Sequence, residues 1–129
     1  MQTNWKKFHC ELVQKQSAAA ARAKGLRAEQ RGDEAAFEQI RSNVYGLFAS
    51  ILEAADSKYG EDTGEMQRFL CAKLESIPAE WKAAAEKAAA HGDERAVFVE
   101  KLKLRTADEI RTGVASVGKE GQPRPIRRH

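Results

Sequence analysis

Arg31-Gly32-Asp33-Glu34-Ala35-Ala36-Phe37 is the stretch on which the fold of this chain turns, and its opening returns as His91-Gly92-Asp93-Glu94. Glycine readily takes the left-handed conformation that closes a helix. Aspartate accepts hydrogen bonds from the free amides that open one. Each Gly-Asp pair therefore reads as a tight helix-to-helix turn. Two of them, 60 residues apart, predict two helical hairpins.

Upstream of the first turn, Trp5, Phe8, Leu12, Ala19 and Leu26 keep one face apolar, so a helix is expected from Thr3 to Arg31. Downstream, Phe37, Ile40, Val44, Leu47, Phe48, Ile51, Leu52 and Ala55 form a wide stripe, predicting a core-facing helix from Glu34 to Ser57. Tyr59 to Gly64 reads as a loop, with Asp62 and Glu65 spaced as a capping box for the third span. That span carries Met66, Phe69, Leu70, Leu74 and Ile77 and then meets Pro78. Proline donates no helical hydrogen bond and disfavours helix just before itself, so a stop and restart is expected there. Helix resumes through Trp81 to His91, and the last span presents Val99, Leu102, Thr106, Ile110, Val114 and Val117.

The expected fold is all-α: an antiparallel four-helix bundle of two hairpins, its third span broken near Pro78. Residues 1–117 read as one bundle domain closed by Gly118, and 118–129 as a basic, proline-containing flexible tail. In the 60-residue register Gly32 matches Gly92 and Asp33 matches Asp93, while one residue off Phe8-His9-Cys10 faces Phe69-Leu70-Cys71. These matches raise an internal duplication. Ala-rich helices and Gly-Asp-Glu turns also produce such matches without one.

Composition limits the classes of function. With 42% hydrophobic residues the chain can build a core, which sets it apart from disordered sequences. No run approaches the ~20 apolar residues of a membrane span, and no apolar stretch follows Lys6 and Lys7 as in a signal peptide. Two cysteines in a chain of this length suggest reduced thiols and a cytoplasmic setting. The net charge of +3 falls wholly on the tail, where Lys119, Arg124, Arg127 and Arg128 stand against Glu120. A neutral body argues against a large nucleic-acid footprint. The first helix is nevertheless basic and the second acidic, which suits side-by-side packing.

Residues that could carry chemistry are few. Gly113 to Lys119 matches a phosphate-binding loop up to its last position, where Glu120 replaces the Ser or Thr that would hold magnesium. His9, Cys10 and Cys71 are the only soft ligands that could gather, and their simpler reading is thiols packed as small hydrophobes. No Glu-x-x-His pair marks a di-iron bundle. Trp5, Trp81, Tyr45 and Phe48 could anchor an interface, but at least three of the four are expected in the core. No catalytic residue, cofactor or metal is assigned. The sequence points to a non-enzymatic helical module that contacts a protein partner or itself. The alternative is a nucleic-acid-associated accessory protein using the Lys24, Arg27 and Arg31 stripe with Arg124, Arg127 and Arg128 of the tail.

Overall fold

Four α-helices follow one another in a computed structural model that describes residues 1–120: α1 (Thr3–Ala28), α2 (Gly32–Tyr59), α3 (Thr63–Ala90) and α4 (Glu94–Glu120). Among the described residues there is no strand, and the helices pack as a bundle. None is long and apolar enough to cross a membrane.

Cross-helix contacts give the direction of each pairing. Met1 reaches Asp56, Gln16 reaches Ser42 and Arg22 reaches Glu38, so α1 and α2 run antiparallel. Leu74 meets Arg111 and Trp81 meets Lys103, so α3 and α4 do the same. The cross-section is a rhombus. No Cα atoms of α1 and α3 lie within 8 Å of each other, while α2 and α4 approach across the other diagonal.

The core fills one half of the bundle, towards the α2–α3 loop. Trp5, Phe8 and Leu12 of α1 meet Phe48 and Leu52 of α2, Met66, Leu70 and Leu74 of α3, and Ile110 and Val114 of α4. Burying a side chain such as Phe48 or Leu52 stabilises by about 1.5–3 kcal/mol. Of the four large aromatics, Trp5, Tyr45 and Phe48 are buried and Trp81 is half-buried. In the other half, α1 and α2 meet on alanine: Ala19, Ala23 and Ala35 are closed off from solvent, and the buried Ser42 hydroxyl donates to the Gln16 carbonyl at 2.9 Å. The Ala83–Ala90 stretch behaves differently, with Ala83, Ala84, Ala89 and Ala90 exposed.

The expected break at Pro78 is absent: α3 is one helix with Pro78 buried inside it. An interior proline leaves the carbonyl four residues earlier without its amide donor. Here that carbonyl belongs to Leu74, and Arg111 of α4 supplies the missing donor from Nη2 at 2.7 Å. Asp108 steadies the same guanidinium at 2.7 Å. Tertiary structure thus offsets part of the local penalty.

Both hairpin turns are Schellman motifs, but not in the expected register. In the second, Gly92 takes the left-handed position (φ 70°), Asp93 N–H donates to the Ala88 carbonyl, and the Asp93 carboxylate accepts from Ala96 N–H at 3.0 Å. In the first, the left-handed residue is Gln30 (φ 61°) and Arg31 N–H donates to the Leu26 carbonyl. Helix α1 therefore ends at Ala28 rather than Arg31, Gly32 already belongs to α2, and Asp33 makes no cap. Equivalent turn positions are Gln30 and Gly92, so the 60-residue register is not the structural one. At the other end α4 continues through Gly118 to Glu120, past the expected boundary at residue 117. Gly118 is buried, and its missing Cβ leaves room for the Gln67 amide. Asp62 caps α3 as its spacing implies, accepting from Glu65 N–H at 3.1 Å.

Candidate functional site

The basic stripe is divided between helix and turn. Lys24 and Arg27 are exposed on α1, and neither has a carboxylate within 4 Å among the described residues. Arg31 lies in the turn, paired with Glu29 at 3.3 Å and with Glu34. Glu38 accepts from Arg22 at 3.0 Å and from Arg41 at 3.1 Å, neither of them in the stripe. Arg124, Arg127 and Arg128 lie outside the described residues.

Cys10 and Cys71 are free and both exposed, which overturns their reading as packed hydrophobes. They stand on the two helices that do not approach each other. Partial burial and Glu75 raise the Cys71 thiol above its ordinary value. His9 instead faces Glu53, with 2.7 Å between Nε2 and Oε1. Among the described residues no three His, Cys, Asp or Glu side chains converge as a metal-binding group. Residues 113–119 are helical, so their backbone amides are engaged and form no phosphate cradle.

The strongest polar constellation joins α1, α2 and α4. The buried Tyr45 hydroxyl donates to Glu109 Oε2 at 2.7 Å and accepts from Arg41 Nη2 at 3.2 Å. Lys15 Nζ donates to the other Glu109 oxygen at 2.7 Å. Burial pushes the Glu109 carboxyl up, but the hydrogen bonds from Lys15 and Tyr45 outweigh it and hold the group below its ordinary value. Glu109 in turn raises Lys15, while burial and then Glu109 raise Tyr45. Each member satisfies another, so the network ties three helices together.

Apolar surface remains at the turn end, around Glu29–Arg31 and His91–Asp93. Leu26, Phe37, Ile40, Val97, Val99 and Leu102 are only half-buried there, and none belongs to the main core. Phe98 is 44% exposed, its ring 4.6 Å from that of Phe37. Arg95 lies over the Phe37 ring, 5.6 Å from its centroid, and is held by Asp33 at 2.9 Å. Between α2, α3 and α4, a cleft of about 240 Å³ is lined by Ile40, Asn43, Val44, Leu47, Trp81 and Lys103. Leu47 at this cleft is 37% exposed. Lys103 lies 5.8 Å from the Trp81 ring centroid and donates to Glu100 Oε1 at 3.1 Å. The second oxygen of Glu100 is buried without a hydrogen-bond partner.

Phe98 stands one helical turn before Leu102, at the edge of the apolar stripe, so its spacing gives no sign that its ring stays exposed. No family model, no curated protein and no solved structure matches the chain.

Proposed function

We propose that this protein is a non-catalytic helical module that binds another protein chain through its turn end. The supporting observation is Phe98, an exposed ring fixed against Phe37 and surrounded by apolar residues that the main core does not cover. Rigid aromatic side chains set in such surroundings are favoured anchors of protein interfaces. The titratable network around Tyr45 and Glu109 is internally satisfied, which fits a role in holding helices. Site-specific photo-crosslinking in cells tests the reading. A benzophenone side chain replacing Phe98 should form covalent protein adducts, while one replacing Ser17, exposed on α1, should not. Equal labelling at both positions, or none at either, overturns it.

A second reading, nucleic-acid association, draws on Lys24 and Arg27, which no carboxylate neutralises among the described residues. Its mark would be affinity for a fluorescent duplex that falls steeply with salt. It would also weaken on Lys24→Glu or on removal of residues 121–129. Absence of binding at low salt removes it.

A further inference from the structure

We infer that the partner is a second copy of this chain, paired antiparallel along α4 with Phe98 at the two-fold axis; the inference rests on the protein-binding reading above. Glu94, Phe98, Lys101 and Arg105 are spaced four, three and four residues apart, which places them on one stripe of α4. All four are exposed. The stripe thus runs acidic, aromatic, basic from its N-terminal end.

That order selects a geometry. In a two-fold interface the same patch meets itself, and each contact occurs twice. If two α4 helices run antiparallel with the Phe98 rings face to face, Glu94 of one copy comes beside Lys101 of the other. A parallel arrangement would instead set Glu94 against Glu94 and Lys101 against Lys101. Neither Glu94 nor Lys101 has an oppositely charged partner within 4 Å among the described residues. Both charges are therefore available for the second copy. Two neighbouring arginines are engaged within the chain: Arg95 with Asp33, and Arg31 with Glu29 and Glu34.

The aromatic centre is also prepared. Phe37 backs Phe98 at 4.6 Å with the planes inclined by 48°, so the exposed ring has a fixed support. Two copies would bring four rings together, an arrangement in which tilted and edge contacts are favourable. The charge pairs at the rim would set direction more than affinity.

Light scattering and sedimentation of the full chain over a wide concentration range read the outcome. A dimer is expected. Phe98→Asp should weaken it by about tenfold or more, as loss of an interface anchor does. Glu94→Lys should weaken it by about fivefold, since the exposed pair occurs twice. Glu94→Lys combined with Lys101→Glu should restore it, whereas either change alone should not. Circular dichroism confirms that each variant is folded. A strict monomer, a dimer indifferent to Phe98→Asp, or a double reversal no better than the single change would overturn the inference. A monomer whose position 98 still crosslinks to a different protein would leave the protein-binding reading standing and remove the second copy. A monomer with no crosslink would remove both.

Discussion

The ring of Phe8 in α1 lies so close to Gly113 in α4 that a Cβ at residue 113 would stand 2.6 Å from Phe8 Cε1. Phe8 is buried among the core side chains and has little freedom to move. Alanine favours helix over glycine by about 1 kcal/mol, which would ordinarily make Gly113→Ala stabilising. Here the overlap should reverse the sign and cost about 1–3 kcal/mol. Gly25 is the control. It is also helical, with nothing within 4 Å of its Cβ position. Gly25→Ala should stabilise by about 0.5–1 kcal/mol. Urea denaturation of the two variants checks both signs.

Arg111 and Pro78 should be energetically coupled through the Leu74 carbonyl. Arg111→Met should destabilise by about 1–3 kcal/mol, since it strips a charged donor from a carbonyl with no helical partner. In a Pro78→Ala background the backbone amide of residue 78 can take over, and Arg111→Met should become much milder. A double-mutant cycle measures the difference. A coupling of zero would mean that Arg111 does not compensate for the proline.

Gln30 occupies the left-handed position of the first turn, with φ 61°. The conformation is strained for a residue with a Cβ and easy for glycine. Gln30→Gly should stabilise by about 0.5–1 kcal/mol, and Gly92→Ala in the second turn should destabilise by about 1 kcal/mol. Thermal melts of the pair would show opposite shifts. Matching shifts would show that the two turns are not equivalent.

Glu109 links stability to pH. Its carboxyl titrates below its ordinary value of 4.5 in the folded chain, so the stability it contributes is present above that pH. That contribution disappears as pH falls through the lowered value. Glu109→Gln should cost about 1 kcal/mol near neutrality, a modest figure because solvent screens the half-exposed carboxylate. The gap between wild type and variant should close in acid. At the alkaline end Tyr45 and Lys15 are both raised, so their contribution holds below their ordinary values of 10.0 and 10.5 and fades as pH climbs beyond them. Urea midpoints across the pH range test both limbs.

Much of this architecture was legible because it depends on local repetition. Trp5, Phe8 and Leu12 recur at helical spacing, as do Val44, Phe48 and Leu52, and all six enter the core. What escaped depends on distant partners. Nothing near Pro78 announces that a guanidinium 37 residues beyond Leu74 will satisfy the Leu74 carbonyl that the proline orphans. The first turn misled because Gly32 is the obvious left-handed residue, yet helix α1 stops early and Gln30 takes the position. Cys10 was misplaced against its own periodicity. It stands two residues from both Phe8 and Leu12, on the opposite side of the helix. At the candidate site, Lys24 and Arg27 were visible as charges but not as unanswered ones. Phe98 gained its meaning only once Phe37 was seen beneath it.

The Leu74–Arg111 contact also acts as a ruler. Apolar stripes tolerate sliding, because a leucine displaced by one turn still meets apolar neighbours. Interior amides elsewhere in a helix occupy the carbonyls that a displaced arginine would reach. Moving α4 by one turn, about 5.4 Å, would part Arg111 from the single backbone oxygen that Pro78 has vacated. A residue that looks like a defect in α3 thereby marks the alignment of α3 and α4 in which the Leu74 carbonyl keeps a donor.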